Sequence, residues 1–259
     1  MKAGALLILV GLVASRSSAA DEQPICADSP GKASQTCTVP AEHFQVEINL
    51  ADWTLQKGDR ELLFADGNFK FGLDDRSDIG VELIPLVRET SRGDGDHQSA
   101  SGFGDVGIAY KHRLSPADAP LQVTAFPFVK IPTANRPIGN RMWEAGIIVP
   151  LAYNIPGTPL SFNLSPELDR SADEDRHGHH WTMVQVGSLG WQATPKLSLL
   201  AEVWGQWDWD PGGTTRQVTF DTSAAYLLRN DLQLDGGANI GLTRNSPDIE
   251  LYAGFAKRF

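Results

Sequence analysis

Helical hydrophobic periodicity is missing from this chain of 259 residues, and beyond its first twenty positions no apolar run is long enough to cross a bilayer as a helix. Basic residues are in the minority: 22 Lys and Arg stand against 32 Asp and Glu, giving a net charge of −10. That balance argues against a nucleic-acid partner, whose phosphates attract basic surfaces. Cysteine is almost absent. The two present, Cys26 and Cys37, have no His or further Cys close by in sequence to complete a metal site. In an exported chain a local disulfide is the expected pairing, with a pair of metal ligands as the alternative.

Export is read from MKAGALLILVGLVASRSSAA, residues 1–20, in which Lys2 precedes an apolar run from Ala3 to Ala14 and small residues surround Ala20. This is the pattern of a secretory signal peptide. No cysteine stands at the expected cut, which argues against a lipid anchor on the mature chain. The expected organisation is a signal peptide over 1–20, a periplasmic N-terminal segment over 21–42 closed by Cys26 and Cys37, and a single domain over 43–259.

What the chain does have is a hydrophobic period of two. In DLQLDGGANIGLT the even positions Leu232, Leu234, Ala238, Ile240 and Leu242 are apolar, against Gln233, Asp235, Asn239 and Thr243. Such a strand has different solvents on its two faces. Twelve segments of this kind are expected, near 44–54, 61–73, 79–88, 102–114, 121–131, 142–153, 159–169, 181–192, 197–209, 216–228, 231–243 and 249–259. The first carries a slip of phase between Asn49 and Trp53 that suggests a bulge, and the eighth, WTMVQVGSLGWQ, alternates poorly. The connections fall into two classes. DDRSD, SPADA, NIPGT, ATPK and RN are short, whereas ETSRGDGDHQSAS, PTANRPIGNR and SADEDRHGHH are long and polar. An even strand count, strands of roughly 10 residues, short turns at one end and long loops at the other describe an outer-membrane barrel. The expected fold is therefore all-β: a transmembrane, up-and-down antiparallel β-barrel of twelve strands in the outer membrane of a Gram-negative bacterium, with both termini periplasmic.

The final stretch, DIELYAGFAKRF, fits this reading, since a last strand that closes against the first lets the chain end at a paired residue. Phe255 and Phe259 are expected to face lipid, with Lys257 snorkelling to the headgroups. The barrel-assembly machinery is the expected reader of that strand. Trp143, Tyr153, Trp207 and Trp209 fall where aromatic girdles sit, the alternative being core aromatics of a soluble sandwich.

Three stretches, GFGDVGIAYKHRL at 102–114, PFVKIPTA at 127–134 and LQLDGGANIGLTRNSPDIELYAGFAKRF at 232–259, resemble the proteobacterial outer-membrane barrel family named for the MetA pathway of phenol degradation. The resemblance implies a barrel and a role in uptake of small, often aromatic, compounds. It implies no set of catalytic or ligand-binding residues.

Assigning the lipid face by hydrophobicity turns Glu47, Asp66, Glu82, Asp105, Glu144, Glu167, Glu202, Asp221, Asp235 and Glu250 inward, with Lys70, Arg88, Lys111, Lys130 and Arg258 against them. Phe64, Phe103, Phe126, Phe128, Trp204 and Tyr252 share that phase. Two readings stay open: a cation-leaning pore, or a polar plug held by ion pairs. Twelve strands lie between the eight that side chains fill and the sixteen or so that leave an open channel, so a narrow lumen suited to small aromatic or apolar solutes is expected. In DEDRHGHH, residues 173–180, His177, His179 and His180 lie beside acids and could hold a divalent cation, the alternative being a solvated loop. GFGDVG at 102–107 lacks the full spacing of a phosphate loop and reads as strand glycines. A channel for passive uptake is the leading expectation, without cofactor or catalytic residues. The alternatives are a lipid-modifying barrel enzyme, with a Ser or Glu near a His at the membrane surface, and a soluble periplasmic binding barrel.

Overall fold

The computed structural model describes residues 23–92 and 97–259. The expected signal peptide and the tip of the 89–101 loop lie outside the described residues. Fifteen strands form one antiparallel sheet: β1 (Phe44–Gln56), β2 (Asp59–Asp74), β3 (Ser77–Leu83), β4 (Leu86–Arg92), β5 (His97–Gly102), β6 (Val106–Arg113), β7 (Leu121–Ile131), β8 (Glu144–Ile148), β9 (Leu151–Asn154), β10 (Leu160–Ala172), β11 (His179–Thr194), β12 (Leu197–Asp210), β13 (Gly213–Arg229), β14 (Leu232–Gly241) and β15 (Ile249–Arg258). Three of the twelve staves are each broken in two. β3 and β4 both pair β2, β5 and β6 continue one another, and β8 and β9 both bridge β7 and β10. The sheet closes where β1 pairs β15, so the barrel has twelve staves and no free seam between first and last.

The breaks have local causes. Pro85 separates β3 from β4 and Pro150 separates β8 from β9, and a proline has no N–H for the ladder. Two bulges reverse the side-chain phase. One lies at Leu50, where the β1–β15 register shifts between Asn49 and Ala51, as the sequence suggested. The other lies at Ala65, whose φ of 57° is the left-handed value that interrupts a strand.

Outward positions carry large apolar side chains round the whole barrel, among them Ile79, Leu121, Phe162, Leu189, Val203, Phe220, Ile240 and Leu251, each about two-fifths to one-half exposed. Closure pairs the strands on both sides except β5, which pairs β4 alone, and paired ladders are the condition for strands to cross a membrane. Phe259, Phe44, Tyr153, Trp143 and Trp209 are exposed as well, at or near strand ends. At the chain end the Lys257 ammonium pairs with Asp231 and lies 5.2 Å over the Phe259 ring.

Candidate functional site

Most fully buried large side chains are polar and point inward: Gln45, Glu202, Asn239, Thr124, Thr219 and Asp221. Gln45, Glu202 and Thr124 are covered by the chain's own N-terminal segment. Residues 23–42, expected below the barrel, instead fold up inside it. The reason is charge and hydrogen-bond complementarity, since inward side chains on one strand after another find partners on this segment.

Asp28 lies between two strand lysines. Lys111 Nζ sits 2.6 Å from its Oδ1, and Lys70 bridges Asp28 to Glu47. Burial opposes the charge on Asp28, yet Lys111 and Lys70 outweigh it and hold the carboxyl below the usual carboxylate range. Opposite them, Glu202 accepts the backbone N–H of Lys32 at 2.9 Å, and the Lys32 ammonium pairs with Glu250 at 3.0 Å while lying 4.8 Å over the Trp204 ring. Gly31 makes this approach feasible, because a Cβ there would lie 2.8 Å from both Glu202 carboxylate oxygens. Ser29 Oγ donates to Asp235, Val39 N–H to Asp78, and Thr124 and Ser165 donate to the carbonyls of Thr36 and Ser34. Ala33 packs on Val184 and Val186 of β11. The segment thus touches staves right round the lumen and forms a plug. Cys26 and Cys37 are joined in a disulfide, with their Cα atoms 6.4 Å apart.

The plug divides the interior. Towards the short turns, a space of 380 Å³ is bounded by Pro24, the disulfide, Asp75, Arg113 and Arg258. Towards the long loops lies a cavity of 640 Å³, with Phe126, Phe128, Ile84, Ile108, Ile138 and Ile148 interleaved with polar groups. Among the described residues, seven carboxylates, Glu61, Glu82, Glu89, Asp105, Glu144, Glu167 and Asp169, face one cation there, Lys130. That ammonium holds Glu144 at 2.8 Å, Asp105 at 3.3 Å and Asn140 Oδ1 at 3.0 Å. The segment 132–143 is thereby folded onto the cavity, with Ala134 N–H donating to Asp105 at 2.8 Å. Lys130→Met is expected to leave two carboxylates without their cation and to lower stability by about 1–3 kcal/mol, less than a fully buried pair because both ends keep some solvent. A reduced unfolding temperature in detergent, with Lys196→Met in an exposed turn as the unaffected control, checks this.

The inward residues expected from the sequence divide between these regions. Glu47, Lys70, Glu202, Asp235, Glu250 and Trp204 meet the plug. Asp66 and Glu82 border a 200 Å³ gap beside it, and Asp221 is buried opposite Glu202. Asp105, Lys130, Glu144, Phe126 and Phe128 line the large cavity. Tyr252 lies over Gly237, where a Cβ would stand 2.3 Å from its hydroxyl.

Three residues depart from expectation. Phe64 is 50% exposed and opposite in phase to Leu63 of the cavity wall, because the Ala65 bulge reverses the alternation assumed for β2. Arg88 alternates with the cavity residues Val87 and Glu89, because the break at Pro85 shifts the phase of β4. Phe103, 73% exposed, sits in the break between β5 and β6 and does not line the cavity. The same irregularities bring inward three acids that simple alternation missed: Glu61, Glu89 and Asp52, the last paired with Tyr252 across the β1–β15 seam. Asp169 was readable, two positions from Glu167 on an unbroken strand.

A closed antiparallel barrel of twelve staves with short turns at one end has the architecture of outer-membrane channels. The chain belongs to the family described as "Putative MetA-pathway of phenol degradation", whose model matches residues 27–259. No curated protein matches it significantly. Among solved structures it resembles the COG4313 outer membrane channel from Pseudomonas putida F1, at 16% identity and a TM-score of 0.67 over 89% of this chain and 99% of that one. Weaker likenesses are to the translocator domain of the autotransporter NalP from Neisseria meningitidis (12% identity, TM-score 0.48, 84% and 87% covered) and to the CymD monoaromatic hydrocarbon channel (8%, 0.46, 85% and 89%).

Proposed function

We propose that the protein is an outer-membrane channel for passive entry of small hydrophobic or aromatic compounds, closed at rest by its N-terminal plug. One observation carries the reading: a cavity of 640 Å³ that sets Phe126, Phe128 and isoleucines among carboxylates, beneath the long loops and above the plug. Such a wall offers an apolar solute aromatic contact and offers a phenolic hydroxyl acceptors. Membership of a family named for phenol degradation supports the substrate class, and the likeness to a solved outer-membrane channel supports the architecture.

In this reading the apolar outer surface meets outer-membrane lipid, the short turns and both termini lie in the periplasm, and the assembly machinery reads the strand ending at Phe259. Initial uptake of radiolabelled phenol, at concentrations too low for rapid diffusion through the outer leaflet, is expected to rise several-fold in cells carrying the protein, with uptake of a sugar of similar size unchanged. Equal phenol uptake with and without the protein would remove the proposal.

The lipid-modifying alternative has one observation in its favour, a 2.8 Å contact between Ser77 Oγ and His112 Nδ1 near the short-turn rim, joined by the Tyr110 hydroxyl. Ser77 is only 2% exposed, however, so its hydroxyl is not presented to a lipid ester.

A further inference from the structure

The long-loop rim carries a second cluster, separate from the cavity and the plug. Asp173 follows β10, His180 lies at the start of β11, and Asp208 and Asp210 end β12, so the β10–β11 loop and the β12–β13 hairpin meet at these four side chains. His180 is 7% exposed. Its Nδ1 lies 2.9 Å from Asp173 Oδ1 and 3.4 Å from Asp210 Oδ2, and its Nε2 lies 3.1 Å from Asp208 Oδ1. That last contact is misaligned, and Nε2 is buried without a hydrogen bond.

The arrangement is unbalanced for the side chains alone. A neutral imidazole carries one N–H and one lone pair, so with carboxylates at both nitrogens the lone pair faces an anionic oxygen. Protonating the ring would cancel only one of three negative charges. Among the described residues no Lys or Arg forms an ion pair with Asp173, Asp208 or Asp210. A positive charge is what this geometry lacks.

We propose that Asp173, Asp210 and the Nδ1 edge of His180 form a binding site for a divalent transition cation of the Zn²⁺ type, with Asp208 beside the ring's other nitrogen. Ligand atoms of Asp173, His180 and Asp210 already lie within 4.8 Å of one another, a spacing that an ion with bonds of about 2.1 Å closes by a small inward movement. One imidazole with carboxylates suits Zn²⁺ better than Ca²⁺, which takes oxygen ligands. The backbone holds the acids in place: Asp210 accepts N–H groups from Glu174 at 2.8 Å and Gly212 at 2.6 Å. Gly178 leaves room for Asp173, since a Cβ there would lie 2.4 Å from its Oδ2. The histidines that share the segment do not join the site. His177 projects into solvent with its side chain 86% exposed, and His179 Nε2 contacts the Trp143 carbonyl at 2.8 Å. A bound ion would fasten the loop carrying Arg176 to the neighbouring hairpin.

The test is calorimetric titration of Zn²⁺ into chelator-treated, detergent-purified full-length protein, with Ca²⁺ alongside. One Zn²⁺ per chain is expected, with Ca²⁺ weaker. His180→Gln and Asp210→Asn should each weaken Zn²⁺ by at least about tenfold, Gly178→Ala should weaken it without removing a ligand, and His177→Ala should leave it unchanged. Zn²⁺ should also slow tryptic cleavage after Arg176 in the wild type but not in His180→Gln, a readout independent of heat. Heat-modifiable migration of each variant establishes that its barrel is folded. Absence of saturable Zn²⁺ binding, or binding unchanged in folded His180→Gln, overturns the site. Loss of binding in His177→Ala alone would overturn it equally, by moving the ligand to the exposed loop.

Discussion

Deletion of residues 23–41, with residues 1–22 retained, is expected to raise single-channel conductance in planar bilayers by roughly an order of magnitude. In the intact protein, groups on β1, β2, β3, β6, β7, β10, β12, β14 and β15 bond to the plug, and β11 packs on it. No stave-to-stave hydrogen bond in the barrel depends on it. Once it is gone, Lys70, Lys111, Glu47 and Glu202 gain water in place of their partners, so the barrel should survive and conduct. Heat-modifiable migration of the deletion protein checks survival. Conductance equal to that of the intact protein would place the seal elsewhere, with the 132–143 segment over the large cavity as the first suspect.

Asp28→Asn is expected to give the largest effect of any single substitution. It leaves Lys70 with Glu47 as its ion-pair partner and Lys111 with Asp78 nearby, and breaking a buried pair in this way costs about 3–5 kcal/mol. Since the loss falls on docking of the plug, it should appear as frequent opening of the channel. Melting of the barrel should change less. The pH dependence separates this from general damage. Because the Asp28 carboxyl is held below its ordinary range, its contribution is complete above the ordinary carboxylate pKa and is lost only as pH falls through the lowered value. The wild type should stay closed at pH 4, while the variant leaks at pH 4 and pH 7 alike. A wild type that opens between pH 7 and pH 4 would show that another group controls the plug.

The strands were legible because a barrel wall separates lipid from a polar interior, and residues such as Leu232–Gly241 record both solvents in strict alternation. The same logic fails at the Ala65 bulge, which the pattern of β2 did not announce. Phe64 was misplaced and Glu61 missed for that reason, and Arg88 was misplaced beyond Pro85. The plug was hidden for a different reason. Its bonds join residues far apart in sequence, such as Asp28 with Lys111 and Lys32 with Glu250, and nothing local marks either member. One clue was present in the poorly alternating eighth segment. Val184 and Val186 point inward among polar neighbours on the same strand, Thr182 and Ser188, and they do so where Ala33 of the plug covers them. An apolar pair on the wet face of a barrel strand signals that something other than water lies against it.

The covalent link between Cys26 and Cys37 also bears on assembly. It turns residues 26–37 into a closed ring, with Ala33 at 0% exposure against the wall. A linear tail could be threaded into a finished cylinder end first, but a ring must enter as a doubled chain past side chains that already crowd the bore. The economical sequence of events is the reverse: the ring is tied first, and the seam between β1 and β15 is drawn shut around it. Oxidation would then precede closure of the last seam, and the finished wall would hold a ring that could not have entered it end first.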